Sequence, residues 1–437
     1  MTPGQALDIL ETRLDAWGAS DDATKAALVA QLETLDAADF DRMSNLLLDK
    51  EAPAALSAPS APDVIDHPSA AERADALATG EAKLRAGEVA ALLVAGGQGS
   101  RLGYDGPKGA YPIGPVTGQP IFYFHARKIA GLSRRYGRRI PFYIMTSAAN
   151  DAETRAHFEA NGYFGLNKDD VIFFQQGVWP ALTEDGKLIL DAPGHIFMSP
   201  DGHGGTISAL AKNGCLADME QRGITTVFYF QVDNPLIDIA EPVFIGLHAL
   251  KGADVSLKVC AKCEPGEKVG VPVIRDGRTA IVEYTEMTEE QLHRRTADGE
   301  LYFKYGSVAI HVFAFDFLKK EACRAMPLHV AHKKIPMCDA HGNITKNNGY
   351  KFEKFIFDLL PHAKTVLNVA FDRADEFSPV KNAEGKDSPA TCKHDMQAKW
   401  RRWLAETGVQ VPDALPIEID PAYALDAADL RNGLRLG

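Results

Sequence analysis

The stretch "VAALLVAGGQGSRLGYDGPKGAYPIG", Val89 to Gly114, decides the reading of this chain. Its apolar opening reads as a buried strand. The glycine cluster behind it, with an arginine and a lysine, reads as a loop that holds phosphate groups. Three phosphate loops compete for it. A dinucleotide fingerprint would need a small residue where Leu102 stands, and the next apolar run, "PFYIMTS", ends without an acid to grip a ribose. A Walker A loop would need Gly-Lys-Ser or Gly-Lys-Thr opening a helix, but Lys108 sits between Pro107 and Pro112. The third loop is that of a nucleotidyltransferase. Gly96, Gly97 and Gly99 would let backbone N–H groups approach a base and a phosphate without β-carbon obstruction. Arg101 has the planar fork to bind a departing diphosphate, and Lys108 the point charge to sit on a phosphoryl group under attack.

Outward from the loop, the texture from about Glu88 is of short apolar runs alternating with helical stretches. The strand candidates are residues 89–95, 141–147, 171–176, 226–232 and 254–260. Near-continuous apolar strands separated by helices predict an α/β fold with a mainly parallel sheet covered on both faces. Ligands of such sheets bind at the carboxyl ends of the strands, so the residues following each run are the candidates for function. Before this region, leucines at helical spacing over residues 4–50 precede a Pro/Ala/Ser connector, "EAPAALSAPSAPDVIDHPS". The sequence thus reads as three consecutive segments: a helical N-terminal appendage with its linker (1–85), a catalytic domain (86–388) and a small C-terminal domain (389–437).

The 437 residues carry 47 basic and 59 acidic side chains, a formal charge of −12. That balance disfavours nucleic acid and anionic membrane as partners, while leaving room for a small polyanion in one local basic pocket. The densest basic run, Arg134 to Arg139, reads as the solvated C-terminus of a helix. Six cysteines without a framework suit a reducing compartment. Cys260 and Cys263 form a lone C-x-x-C with no second pair to complete a zinc site. With no secretory signal pattern at Met1 and no membrane-length apolar run, a cytoplasmic location is expected.

"LLVAGGQGSRLGYDGPKG" resembles the signature of UTP-dependent sugar-1-phosphate uridylyltransferases, most closely the UDP-N-acetylglucosamine pyrophosphorylases of eukaryotic type. Ser100 stands where that family usually has threonine. The resemblance continues in order through "PFYIMTS", "YFGLNKDDVIFFQQG", "SPDGHGG", "QVDNPL", "KVGVPV", "VEYTEM", "HVAHKKIP", "KFEKFIFD" and "DEFSPVKNAEGKDSPAT", covering roughly residues 85 to 395. It implies a Rossmann-like, GT-A-like nucleotidyltransferase fold. It also implies a reaction in which UTP and a sugar 1-phosphate give a UDP-sugar and pyrophosphate. By the same resemblance, Gln176 and the backbone of residues 96–99 hold uracil, whose pairing edge one glutamine amide can serve as both donor and acceptor. Asp233 of "VDN" binds Mg²⁺, and Lys381 is a second phosphate-binding lysine. Gly270 and Glu283 match positions that hold sugar hydroxyls, and Phe355 and Phe357 match aromatics near an acyl group.

Two positions depart from the N-acetylglucosamine pattern. The family usually reads G-N-G-G where this chain has Gly202-His203-Gly204-Gly205, and N-A-G-N where this chain has "KYGS", which puts Ser307 at an amide's place. Histidine and serine present donors and acceptors differently from an amide. The sugar expected is N-acetylglucosamine 1-phosphate, with glucose or galactose 1-phosphate, or broad tolerance, as the alternative. A nucleotide-sugar-binding regulator without turnover is a further alternative, which retention of Arg101, Lys108, Asp233 and Lys381 together argues against.

Overall fold

Val89–Val94 (β1), the strand that feeds the glycine loop, is buried along most of its length near the middle of a seven-stranded sheet. The other strands are Phe142–Thr146 (β2), Val171–Gln175 (β3), Thr226–Gln231 (β4), Val255–Ala261 (β5), Tyr305–Ala314 (β6) and Val366–Ala370 (β7), in the spatial order β7-β5-β6-β4-β1-β2-β3. All five runs read as strands from sequence are strands here. β1 pairs in parallel with β2 and with β4, β2 with β3, and β5 with β7. Only β6 runs antiparallel to its neighbours, β4 and β5. The α/β, mainly parallel class is as expected.

The computed structural model describes residues 1–48, 57–339 and 342–436. It divides into two units, each discontinuous in sequence. The larger comprises residues 57–175, 207–324 and 359–437 and contains the sheet. Ile121–Tyr136 (α5) buries Phe122, Phe124 and Ile129 in one core with Leu93, Phe142 and Phe228 of the strands. α5 ends at Gly137, whose φ of 64° suits a glycine cap. The basic run does begin at this helix C-terminus, but Arg135 is ion-paired to Asp426 and Asp429.

One helix of this unit, Ala70–Ala86 (α4), lay unread in the sequence. It packs on Pro242–Leu250 (α7) through small residues on both sides. A β-carbon on Gly80 would stand 1.8 Å from the Pro242 carbonyl oxygen, and one on Gly246 would stand 1.7 Å from that of Ala76. Alanine and glycine carry no long apolar stripe, so the pattern that reveals most helices is weak here.

The smaller unit comprises residues 1–56, 176–206 and 325–358. Its helices Pro3–Arg13, Asp22–Glu33 and Ala37–Leu48 bury Leu10, Leu28, Leu32 and Phe40 in one core with Trp179, Leu182, Ile196 and Phe352. Along the chain they read as an appendage, because those core partners lie more than a hundred residues downstream. The long antiparallel hairpin His329–Cys338/Ile344–Glu353 belongs to the same unit. The first part of the Pro/Ala/Ser connector, residues 51–56, lies outside the described residues. The rest is extended and bridges Ser60 to Ile274 and Ile65 to Val369.

Candidate active site

Strand order fixes where a ligand belongs in the larger unit. From β1 the chain moves outward on one side to β2 and β3, then returns to the other side of β1 as β4. The crevice at the carboxyl ends of β1 and β4 is therefore a topological switch point. Val94 and Gln231 are partners in register, so the loop after Val94 and the turn after Gln231 leave the sheet side by side.

The loop after β1 is folded back on itself. The Gly99 N–H donates to the Gly106 carbonyl at 2.9 Å, and the Lys108 N–H donates to the Gly97 carbonyl at 3.1 Å. Asn150, 1 % exposed, donates its amide to the carbonyls of Ala95 (2.9 Å) and Gly97 (3.3 Å). Sequence reading missed Asn150. Its position just past the carboxyl end of β2 was the available signal.

Across the crevice the Lys108 ammonium lies 3.6 Å from the Asp233 carboxylate, both mostly buried. Burial pulls the lysine below its ordinary value; Asp233 opposes this, and Lys381 and Arg101 add to it. Three cations and one carboxylate thus share one field. Arg101 is exposed, and neither it nor Lys381 has a carboxylate partner among the described residues. Lys381 rests over the Phe377 ring at 5.7 Å. An uneven cluster of this kind is short of negative charge, which a polyphosphate would supply. No group of three or more metal-ligating side chains occurs among the described residues. A single hard carboxylate beside a phosphate-seeking cluster still fits Mg²⁺, which keeps waters and takes phosphate oxygens as its other ligands.

Three further predicted residues meet in the larger unit. The Ser307 N–H donates to the Gly270 carbonyl at 2.8 Å. A β-carbon on Gly270 would lie 3.6 Å from a Glu283 carboxylate oxygen. Gly270, Glu283 and Ser307 therefore form one wall.

The smaller unit holds the others. Gly202, with φ at 85°, is where a β-carbon would strike the Lys354 carbonyl at 2.5 Å, so the G-H-G-G turn needs glycine to lie against the Lys354–Phe355 backbone. His203 stacks on Phe355 (centroids 5.4 Å) and sits 5.8 Å from Phe357. Its Nδ1 accepts the Ile356 N–H at 3.2 Å. Burial pushes the ring pKa down to about 4, so His203 is neutral and carries its proton on Nε2. His329, which sequence reading passed over, stacks on Phe355 at 4.1 Å and contacts Asp358 at 2.8 Å. Gln176 is half-buried, and its amide makes no hydrogen bond among the described residues. Cys260, by contrast, is an inward strand residue whose thiol is pushed up to about 11 by burial.

A nucleotide-handling α/β enzyme is what this fold and crevice define. The chain belongs to the family described as UTP–glucose-1-phosphate uridylyltransferase, whose model matches residues 53–387. It is accordingly a transferase of the uridylyl class. A human protein, UDP-N-acetylhexosamine pyrophosphorylase-like protein 1, is 40 % identical over 75 % of this chain and 67 % of its own length. The UDP-N-acetylglucosamine pyrophosphorylase of Saccharomyces cerevisiae is 37 % identical over 76 % of this chain and 73 % of its own. The crystal structure of the uridine diphosphate N-acetylglucosamine pyrophosphorylase of Trypanosoma brucei, in complex with an inhibitor, superposes with a TM-score of 0.85. It is 29 % identical and covers 100 % of this chain and 95 % of that one. No described helix is long and apolar enough to cross a membrane.

Proposed function

We propose that this chain makes UDP-N-acetylglucosamine and pyrophosphate from UTP and N-acetylglucosamine 1-phosphate. The observation that carries the chemistry is the Lys108–Asp233 pair across the switch point, with Arg101 and Lys381 uncommitted beside it. The sugar phosphate oxygen attacks the α-phosphorus of UTP, and pyrophosphate leaves. An attacking phosphate is already ionised near neutral pH, so no general base is required. The protein's part is alignment and charge neutralisation. Lys108 faces the phosphoryl group under attack, Arg101 takes the leaving diphosphate, and Lys381 holds a further phosphate oxygen. Asp233 would hold Mg²⁺, which supplies Lewis-acid neutralisation of the phosphates. On the larger unit, the backbone of Gly96, Gly97 and Gly99 takes uracil, and Gly270, Glu283 and Ser307 take sugar hydroxyls. On the smaller unit, the motif resemblance assigns Gln176 to uracil and Gly202, His203, Phe355 and Phe357 to the sugar.

A second reading, glucose or galactose 1-phosphate or a broad range, is favoured by His203. Its one available ring nitrogen is a donor, whereas an amide offers both a donor and an acceptor. Pyrophosphate release with UTP and four sugar 1-phosphates, glucose, galactose and their N-acetylamino counterparts, tests both readings. Preference for the acetylated pair is expected. Preference for the unacetylated pair selects the second reading, and no release with any of the four overturns both. Lys108→Ala and Asp233→Ala should each lower kcat at least a hundredfold with native-like melting. Near-normal rates in both would remove the assigned roles.

A further inference from the structure

Asn234 follows the carboxylate of the crevice, is 4 % exposed, and uses its side chain entirely on backbone. Its Nδ2 donates to the Glu376 carbonyl at 2.6 Å, and its Oδ1 accepts the Ser378 N–H at 3.0 Å. Two residues further on, the Val380 N–H donates to the Asp233 carbonyl at 2.7 Å. Three hydrogen bonds within seven residues thus stitch the turn after β4 to the segment that presents Lys381. The two segments lie more than 130 positions apart in the chain. Where they meet lie a turn and the end of the short helix Arg373–Glu376, whose last carbonyl Asn234 takes, so no sheet ladder holds the two together.

We propose that Asn234 is a positioning residue that joins the Asp233 turn to the Lys381 loop, so that the carboxylate and the second phosphate-binding lysine are presented as one piece. The inference rests on the roles given above to Asp233 and Lys381. The side-chain amide suits the task because it supplies one donor and one acceptor in a fixed plane, which matches the last carbonyl of the Arg373–Glu376 helix and an N–H two residues beyond it. An aspartate of the same shape keeps the acceptor for Ser378 and sets a charge against the Glu376 carbonyl. Alanine leaves both buried backbone groups without partners, and the segment would loosen to reach water.

The turn itself has other anchors. Lys128 donates to the carbonyls of Pro235 and Ile237, and His125 contacts the Val232 carbonyl at 3.0 Å. The Lys381 segment has anchors of its own, since Lys258 pairs with Glu376, the Ser378 hydroxyl donates to Asp395 and Lys399 donates to the Asp375 carbonyl. Loss of Asn234 should therefore loosen only the stretch it serves, and that local effect makes the proposal testable without turnover. Hydrogen exchange of the metal-free protein should show the amides of residues 377–381 exchanging at least tenfold faster in Asn234→Ala, with β4 and the Asp233 turn unchanged. Turnover should fall tenfold or more, mainly in kcat. In a Lys381→Ala background the same substitution should cost less than twofold, because the lysine it positions is gone. Asn234→Asp should show an intermediate effect, and it serves if the alanine variant folds poorly.

Unchanged exchange at 377–381 overturns the proposal. So does an undiminished kinetic cost in the Lys381→Ala background, or loosening that spreads evenly through the larger unit. If Asp233→Ala or Lys381→Ala turn over normally, the reading of the site has failed instead. The exchange result stands apart from that outcome.

Discussion

At Gly97 a β-carbon would meet no heavy atom within 4 Å, and the backbone is not in the left-handed region. Nothing in the fold demands glycine there, unlike Gly99, whose β-carbon would press on Tyr104 at 2.9 Å. The uracil and phosphate contact proposed above would supply the reason for glycine there, since a ligand against the backbone leaves no room for a side chain. Gly97→Ala should therefore leave the melting temperature within about 1 °C of the parent, since it touches no packed feature. The KM for UTP should rise tenfold or more, and an unchanged KM would show that the position is not a ligand contact. His203 carries a second expectation at this scale. With the Ile356 N–H on Nδ1 and the pKa held near 4 by burial, the ring keeps one protonation state from pH 5.5 to 8. The KM for the sugar 1-phosphate should show no inflection assignable to His203 in that range, and an inflection near pH 6.5 that disappears in His203→Asn would contradict the buried, neutral ring.

Among the elements, the crossing of α4 and α7 is the most sensitive to added volume. Alanine is the better helix former than glycine by about 1 kcal/mol, so propensity alone favours Gly246→Ala. The added carbon would stand 1.7 Å from the Ala76 carbonyl oxygen, which belongs to helix backbone and cannot swing away. Overpacking of this kind costs on the order of 1–3 kcal/mol and should outweigh the propensity gain. A lower urea midpoint with an unchanged slope is expected; a higher midpoint would mean that the helices separate freely. This contact also shows what the sequence hides. The strands β1, β2 and β4 announce themselves as uninterrupted apolar runs because both faces of a parallel sheet are covered. Helix α4 relies on close backbone approach and leaves no stripe to read. The candidate site was legible where a motif carries its chemistry locally, as in Gly96–Lys108. Asn150 and Asn234 were not, because an asparagine that serves a distant backbone group looks like any turn former.

For the whole molecule, three histidines held neutral by burial weaken the fold toward acid, while the Glu376 carboxyl, pushed up by burial, opposes them. Burial pushes His125 to about 3 and His203 and His248 to about 4. Each value lies below the ordinary 6.5, so the unfolded chain binds protons that the native chain refuses. Their contribution to stability is complete above about pH 6.5 and is lost as the pH falls toward 4, by up to about 1.4 kcal/mol per pH unit for each ring. The melting temperature should decline from pH 6.5 to 5, before most carboxylates protonate. His248→Gln should flatten that decline, and an unaltered slope would contradict the burial of its ring. The strand order has a consequence during synthesis as well. β1 completes one side by pairing with β2, some fifty residues on, but its other edge waits for β4, with Val94 paired to Gln231. At ribosomal rates of roughly 5–20 residues per second, the interval between those residues leaves the most apolar strand of the sheet open on one side for about 7–27 s. A nascent chain arrested before Thr226 would therefore present an unpaired Val89–Val94 edge, and chaperone capture during translation is the expected fate of that edge.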